Sequence, residues 1–392
     1  MGTVKSSRLI VAAILAILVY GMIAAMLGTL LPQLSARFHL TPEQSGNVAF
    51  AQAVGLIIAS LLAGPLVDNK GKKTGLVLSL IMIAAALFLL PNAGGYSQVT
   101  GYMFLLGLGG GILVTSGNAL VSDISPERRS STLNLLNLFF GLGGLLTPLI
   151  GGRLFAGNGV ALCYFVAILT VGTLMVNFLT EMPPPTGERG FRLSELGIIV
   201  GNPALYLLSL MLFLYVACEV GVWNWLAKHL IAQGIAEKEA LTILSLGFAL
   251  GLLIGRVVVS RILIKVRPVT VTLYASLFMA VTTFLALQTT STAVAWVAVF
   301  CAGLAMAPVF PTTLGMTGDA FPRATATAMG VVITSGWIGL AVSSKIIGGI
   351  AGGEDQKLKT ALLVLPAFSV LMVIVNLILR LLLAKRENAA SA

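Results

Sequence analysis

The chain has 392 residues, of which 57% are hydrophobic and only 10% are charged, and its mean hydropathy is +1.00. This composition excludes a water-soluble globule of that length and indicates a polytopic membrane protein. The formal net charge of +10 is interpreted as a consequence of topology and of contact with anionic lipid, and it does not indicate nucleic-acid binding.

Twelve apolar stretches are long enough, or nearly so, to cross a bilayer as helices, which takes about 20 residues. The first six are predicted over Ile10–Leu34, Ser45–Leu66, Gly75–Leu90, Val99–Ser122, Thr132–Phe155 and Gly159–Leu179. Spans seven to twelve are predicted over Ile198–Ala227, Leu241–Ile264, Val269–Leu287, Ala293–Met316, Thr325–Ile350 and Leu362–Leu383. Helices are favoured because lipid offers no partners to open backbone groups and the stretches lack the alternation of barrel strands.

Basic residues decide the predicted orientation. With both termini in the cytoplasm, seventeen of the 24 Lys and Arg residues face the cytoplasm, a set that includes Arg256. Six lie on the other side, and Lys345 falls inside a span. The first apolar run is too long for a cleavable signal peptide and leads directly into further spans. We therefore expect a multi-pass protein of a bacterial inner membrane.

The chain repeats itself at an offset of 196 residues. Ala53–Ile58 in span two matches Ala249–Ile254 in span eight, and Gly107–Asp123 in span four matches Gly303–Asp319 in span ten. Matches at one offset in two helix pairs indicate duplicated halves in parallel orientation. The predicted fold class is an all-α membrane protein whose twelve transmembrane helices form two pseudo-symmetric six-helix bundles. Such halves, with a substrate site between them at mid-depth, are typical of a secondary transporter. The predicted domains are residues 1–180, a cytoplasmic linker at 181–197, and residues 198–392.

A ten-residue motif lies between spans two and three. It reads Gly64-Pro65-Leu66-Val67-Asp68-Asn69-Lys70-Gly71-Lys72-Lys73 and resembles the loop signature of the major facilitator superfamily. The glycines are expected to let the helix end and the backbone turn. Asp68 can accept hydrogen bonds from a neighbouring helix N-terminus or a basic partner, whereas the basic residues should stay in the cytoplasm. The resemblance implies a gating latch made of Gly64, Asp68, Gly71, Lys72 and Lys73, and a solvated turn is the alternative. The repeat copy has lost its acid, so the latch is expected mainly on one side.

Further short matches are similar to the fucose-permease-like branch of this superfamily, which consists of sugar:proton symporters. They include Gly28–Pro32 in span one, Ser116–Leu120 in span four, Leu133–Gly143 in span five, Tyr215–Val220 in span seven and Pro308–Thr312 in span ten. The chain departs from the branch because it has no acid in span one or in the interior of span four. Lys345 also lies where a small residue or Pro would be ordinary.

Polar side chains within spans are candidates for substrate binding, because each needs a partner or a watery cavity. In the first half they are Tyr20, Gln52, Asn118, Asn134 and Asn137. In the second half they are Tyr215, Trp223, Asn224, Thr334 and Trp337. Amides suit sugar hydroxyls, and aromatic rings can stack on a sugar ring. The alternatives are interhelical hydrogen bonds for the amides and an interfacial belt for Trp223.

Glu219 is the one carboxylate deep inside a long apolar run, and Lys345 is predicted at a similar depth. We hypothesise that Glu219 and Lys345 interact in at least one state of a transport cycle and couple solute movement to an ion. A permanent structural pair and a lysine that extends to the interface are the alternatives. His229, at the end of span seven, is predicted to lie at the surface.

The function favoured by the sequence is symport of a small hydrophilic solute, most consistent with a sugar or sugar derivative, together with a proton or sodium ion. Gly144–Gly152 in span five is close to the pattern of drug exporters, so a proton-coupled exporter of amphipathic compounds is an alternative, and an organic-anion carrier is another. No grouping of nucleophile, base and orienting residue predicts an enzyme. We expect no cofactor, no metal, no nucleic-acid partner and a monomer in the bilayer. The cysteines are expected to be packing residues.

Overall fold

A computed structural model describes residues 3–40, 42–156, 158–184, 196–351 and 355–391. All regular elements in these ranges are helical. The first-half helices are α1 Thr3–Phe38, α2 Pro42–Lys70, α3 Lys72–Leu89, α4 Tyr96–Ile124, α5 Arg129–Leu149 and α6 Gly159–Leu179. They are followed by α7 Leu196–Val200, α8 Pro203–Ala232, α9 Glu237–Thr242, α10 Ala249–Ile262, α11 Pro268–Gln288, α12 Thr292–Met306, α13 Val309–Ala320, α14 Thr325–Ala351, α15 Asp355–Leu362 and α16 Val364–Ser391. Twelve stretches of the described chain are long and apolar enough to cross a membrane, which confirms the predicted fold class.

Several spans contain irregular helix, and span twelve is interrupted at Leu363 between α15 and α16. Span five passes into a π-helix at Ile150–Leu154, and span eight contains another at Ile243–Phe248. Span ten is interrupted between α12 and α13, next to Pro308. Proline has no backbone N–H to continue the helical ladder, and this explains the interruption. The matching stretch of span four has no proline and is a continuous helix.

The chain divides into two compact units. One contains residues 1–126, 136–197 and 321–334, and the other contains residues 127–135, 198–320 and 335–392. The start of span five is thus grouped with second-half helices, and the start of span eleven is grouped with first-half helices. The predicted linker at 181–197 falls largely outside the described residues, and the predicted domain boundaries stay a prediction.

The same pairs of spans pack together in each unit, as expected for a duplication. In the first unit, span four packs on spans one, two and three, and span six packs on spans one and three. In the second unit, span ten packs on spans seven, eight and nine, and span twelve packs on spans seven and nine. The helix pairing therefore follows the repeat inferred from the sequence.

Glycines at the repeated positions explain how closely these helices approach each other. A β-carbon on Gly55 would meet the backbone of Phe104, and a β-carbon on Gly251 would meet the backbone of Phe300. Gly107 and Gly303 likewise lie against backbone carbonyls of the facing helices. Each half thus uses a reciprocal pair of glycines, 196 residues apart between halves, to bring two helix backbones into contact.

We expect Gly107→Val to destabilise the protein strongly, because overpacking against the backbone of Gln52 costs about 1–3 kcal/mol or more. Gly101→Val is the matched control, since it lies in the same helix and a β-carbon there would have no neighbour within 4 Å. The measurement is the thermal midpoint of each purified variant in detergent. Equal midpoints for the two variants would contradict the role of Gly107 in close packing.

Candidate functional site

The second unit places a carboxylate, a phenol and a guanidinium close together. Tyr215 and Glu219 are one helical turn apart on α8, and Arg256 projects from α10. The Tyr215 hydroxyl lies near the Glu219 carboxylate, and Arg256 is within electrostatic reach of both. The Tyr215 hydroxyl makes no hydrogen bond of standard geometry. This cluster has the chemistry to hold a proton or an ionised group within a span.

Arg256 was not predicted to be part of this site. The orientation count treats it as a cytoplasmic residue, but it is 3% exposed inside α10. Basic residues near the end of span eight were expected in the cytoplasm from their position along the chain alone. That position does not show which face of the helix each residue occupies. Arg261, five residues further along the same helix, is exposed as expected. A buried arginine within a span requires an anionic or strongly polar partner, and Glu219 provides the negative charge.

Lys345 does not pair with Glu219 in this structure. Its side chain is exposed on α14, and the charged group that interacts with Glu219 is Arg256. Glu219 and Lys345 were predicted at a similar depth in the membrane. A similar depth does not bring two side chains together, because it does not determine the direction in which each side chain points. Their interaction in another state of the protein stays a prediction.

Tyr215, Glu219, Trp223 and Asn224 follow one another along α8, and the exposed fraction of their side chains changes along this stripe. Tyr215 is fully buried, and its ring centroid lies 6.4 Å from that of Phe310 beyond the interruption of span ten. Glu219 is half-buried, whereas Trp223 is 37% exposed and Asn224 is also exposed. Trp223 packs edge-on against Phe248, with centroids 5.1 Å apart. The stripe thus runs from a buried phenol to an accessible indole and amide.

Aromatic and amide candidates also meet in the first unit. Tyr20 packs against Phe140 with centroids 5.2 Å apart. Asn137 donates to the side-chain oxygen of Asn118 at 2.9 Å, and Asn118 in turn donates to a carbonyl on its own helix. Gln52 is buried, at 6% exposure. The asparagine bond is the interhelical contact that was the alternative to substrate binding.

Asn134 and Asn137 lie on neighbouring parts of one helix but have different partners. Asn134 donates to Thr312 at 2.9 Å within the second unit, and its side-chain oxygen is buried without a hydrogen bond. Thr334 is buried with no hydrogen bond to its hydroxyl, and Trp337 is half-buried. The substrate-binding role of all ten candidates stays a prediction.

Asp68 caps the beginning of span eleven. Its carboxylate accepts bonds from the backbone N–H groups of Ala326 at 3.2 Å and Thr327 at 2.8 Å, and from the Thr327 hydroxyl at 2.7 Å. These residues lie in the first turn of α14, where backbone N–H groups have no intrahelical partners. A buried carboxylate at a helix N-terminus is also favoured by the helix dipole. The acceptor chemistry expected of Asp68 is confirmed.

The rest of the motif differs from expectation in two respects. Gly71 turns the chain with φ of 89° between α2 and α3, as predicted, but Gly64 lies inside α2. There a β-carbon would collide with the backbone of Thr327, so Gly64 permits close approach and does not end the helix. Lys72 is also not a solvated base, since it is 2% exposed and pairs with Asp123 at 2.6 Å. Lys73 lies 5.5 Å from the centre of the Phe178 ring.

The second half also makes polar contacts at a helix start, and the expectation of a latch mainly on one side stays a prediction. Arg129 at the start of α5 pairs with Asp319 at 2.8 Å, and Ser131 donates to the Ser260 carbonyl at 2.5 Å. The missing acid at the repeat position of Asp68 did not predict this, because the contacts come from different elements. Within each unit, therefore, polar contacts join the start of a helix from one half of the chain to a span from the other half of the chain.

Two further residues refine the sequence predictions. His229 is 1% exposed, and its ring nitrogen lies 3.0 Å from the Leu287 carbonyl, so the surface prediction was wrong. The hydrogen bond compensates for burial of the imidazole at the helix end. Thr147, in the stretch similar to drug exporters, donates to the Met22 carbonyl at 3.2 Å. That stretch takes part in helix packing.

Comparisons with known proteins identify relatives along most of the chain. A model of the Major Facilitator Superfamily matches residues 13–344. The protein "Bypass of stop codon protein 6" of Saccharomyces cerevisiae is 23% identical over 382 residues, covering 87% of this chain and 76% of that protein. A glucose/galactose transporter of Brucella abortus is 27% identical over 318 residues, 76% of each protein. The solved structure of the transporter FucP in the outward conformation has a TM-score of 0.82 at 17% identity, covering 94% of this chain and 97% of that one. At that identity the likeness concerns the fold.

Proposed function

Because this chain belongs to the Major Facilitator Superfamily, we propose that it is a secondary active transporter of a sugar or sugar derivative, driven by symport of an ion. The relative named as a glucose/galactose transporter covers 76% of the chain and supports the solute class. The observation that carries the ion coupling is the Glu219 carboxylate next to Arg256 and Tyr215 inside the spans. The proposed location is a bacterial inner membrane, with both termini in the cytoplasm.

The coupling ion in this proposal is a proton that binds Glu219. A carboxylate within a span can exchange a proton when an opposite charge nearby stabilises its ionised form and an aqueous route reaches it. Arg256 supplies the charge, and the half-buried state of Glu219 is consistent with access. Tyr215 supplies a hydroxyl that can donate to the ionised carboxylate and accept from the protonated one.

Alternating access in this proposal depends on contacts that can be broken and made again. Asp68 with the start of α14, and Arg129 with Asp319, are polar contacts that connect the two halves of the chain within the respective units. Polar contacts of this kind can dissociate when water reaches them, whereas a continuous apolar interface would resist separation. We propose that both sets open together during transport.

The test of the solute class is a thermal-shift screen of the purified full-length protein. Neutral sugars, sugar acids and hydrophobic cations are each added at equal concentration, followed by uptake into proteoliposomes under imposed proton or sodium gradients. The proposal predicts stabilisation by at least one sugar or sugar acid and uptake driven by one ion gradient. Stabilisation by hydrophobic cations and by no sugar compound would overturn it in favour of the exporter.

We expect Glu219→Gln to abolish accumulation driven by a proton gradient while solute exchange across the membrane continues. Gln keeps the size and polarity of the side chain but cannot release a proton at neutral pH. The matched control is Glu239→Gln, because Glu239 accepts a 2.7 Å bond from Trp296 near the start of span eight. If the Glu219 variant accumulates solute as well as the parent does, Glu219 does not carry the coupling proton.

A further inference from the structure

An open groove separates spans eight and nine. Both α10 and α11 pack on α12, but in the described chain they make little direct contact with each other. The corresponding helices of the first half, α2 and α3, do pack together, and only Gly71 separates them along the chain. In the second half a turn at residues 263–267 separates α10 from α11. The longer turn allows the two helices to stand apart, and span ten forms the floor between them at Leu304, Ala305 and Pro308.

The groove has dimensions that fit one acyl chain of a lipid. Its wall on α11 extends from Thr270, next to the turn, to Val281, which is roughly 16 Å at about 1.5 Å per helical residue. The hydrocarbon core of a bilayer is about 30 Å thick, so the groove extends through about one leaflet. It holds about 710 Å³ of open space, which is within the range of about 300–1,000 Å³ for small-ligand sites. A single acyl chain entering from one leaflet can therefore fill it.

The end of the groove at the turn is strongly basic. Arg261, Lys265 and Arg267 are all exposed there. The sequence has no Asp or Glu at residues 240–318, which include all three helices that form the groove. Within the described chain, neither Arg261 nor Lys265 forms an ion pair. The charge at this end of the groove is thus complementary to an anionic head group.

The lining changes from polar to apolar with distance from the turn. Thr270 and Tyr274 are one helical turn apart on α11 and line the groove near the turn, and Tyr274 is 65% exposed. Their hydroxyls can donate to the ester and phosphate oxygens of a lipid. Further along α11 the lining side chains are apolar and include Leu277, Phe278 and Val281. Basic, hydroxyl and apolar groups therefore follow one another in the same order as the head group, esters and acyl chain of a phospholipid.

We propose that this groove is a binding site for an anionic phospholipid. One acyl chain lies between α10 and α11, and the phosphate lies on Arg261, Lys265 and Arg267. In the orientation proposed above, the turn is in the cytoplasmic leaflet, where anionic lipids give the membrane surface a negative potential. The bound chain contacts spans eight, nine and ten together, so occupancy stabilises the packing of these three spans. The site is independent of the solute class, because lipid binding requires no solute.

The test measures lipid binding to the purified full-length protein by native mass spectrometry. The probes are phosphatidylglycerol and phosphatidylcholine with identical acyl chains, and glycerol 3-phosphate as a head group without chains. We expect phosphatidylglycerol to bind at least about tenfold more tightly than phosphatidylcholine and to raise the thermal midpoint of the protein. Glycerol 3-phosphate should not bind measurably. Equal affinity for the two lipids, or binding of glycerol 3-phosphate as tight as that of phosphatidylglycerol, would overturn the site.

A charge variant tests the contact with the head group. Replacing both Arg261 and Lys265 with Gln should lower the affinity for phosphatidylglycerol at least about tenfold and leave that for phosphatidylcholine unchanged, because each basic residue near the membrane surface attracts anionic lipid. The matched control replaces Lys70 and Arg128 with Gln. Both are exposed and are predicted on the same side of the membrane, so this variant should bind phosphatidylglycerol as the parent does.

A groove-filling variant tests the contact with the acyl chain. Ala275 lines the groove on α11, so Ala275→Phe should lower the affinity for both lipids. Ala280 belongs to the same helix and lies outside the lining, so Ala280→Phe is the control and should bind both lipids normally. The thermal midpoint without added lipid shows whether each variant is folded, and the charge variant alters only exposed side chains. Undiminished phosphatidylglycerol binding in either folded test variant would overturn the proposal.

Discussion

Replacing Asp68 with Asn is expected to lower the transport rate at least about tenfold. The substitution weakens the hydrogen bonds that the charged carboxylate accepts, and such bonds are worth about 1–3 kcal/mol each. The aspartate accepts three bonds from the first turn of α14, at 2.7–3.2 Å. An asparagine turns an amide N–H group toward backbone N–H donors on one side and removes the charge that the helix dipole favours. Uptake into proteoliposomes measures the rate, and calorimetry on the same preparation measures binding.

Neighbouring variants distinguish this role from general damage to the helix end. Asn69 is exposed beside Asp68, so Asn69→Ala should transport at the parent rate. Thr327→Val removes the hydroxyl bond and keeps both backbone bonds, so its rate should fall between those of the parent and Asp68→Asn. Asp68→Asn is expected to retain solute binding, since Asp68 is not among the candidate binding residues. A normal transport rate for this variant would contradict the gating role.

The sequence predicted Asp68 well because its partner belongs to the backbone. The first turn of any helix presents free N–H groups, so a carboxylate at a helix junction suggests this contact without knowledge of the partner residue. Gly64 was predicted less well, because the sequence motif does not distinguish a glycine needed for a turn from one needed for close approach. The backbone of Thr327 lies against the α-carbon of Gly64, and this contact shows that Gly64 is needed for close approach.

The partner of Glu219 shows a limit of prediction from sequence. Glu219 was identified from its position in an apolar run, a property of the local chain. Its partner depends on the packing of α8 and α10 and on the side of α10 from which Arg256 projects. Arg256 could have been suspected, since it lies well inside the predicted eighth span, where an exposed arginine would be costly. Counting basic residues for topology obscured that signal.

The sequence repeat predicted which helices pack together in each half, but it did not predict the polar contacts. Gly55 and Gly251 make equivalent close approaches because the same backbone arrangement requires a glycine in both halves. Asp123 and Asp319, which are also repeat counterparts, have different partners on different helices. Close packing restricts a position to one residue type, whereas a polar side chain can find a new partner after duplication. The two halves therefore share a scaffold and differ in their charges.

This difference predicts unequal effects of the same substitution at the two repeat positions. Asp123→Asn should lower the free energy of unfolding by about 3–5 kcal/mol, because it removes the charge of the carboxylate that is in direct contact with the buried Lys72. That ion pair spans 2.6 Å, and its side chains are 3% and 14% exposed. Asp319→Asn should cost about 1 kcal/mol or less, since its pair with Arg129 is 11% and 50% exposed. Thermal and denaturant midpoints of the purified variants measure the difference.

Each aspartate serves as the control for the other, because the chemical change and the position in the repeat are the same. The double variant Lys72→Met with Asp123→Leu should recover much of the stability lost in Asp123→Asn, since it removes the buried charge of Lys72 and fills the site with apolar groups. Asp319→Asn should instead impair transport more than stability, because its contact connects the start of span five to span ten. Equal loss of stability at the two positions would show that burial does not determine the strength of these pairs.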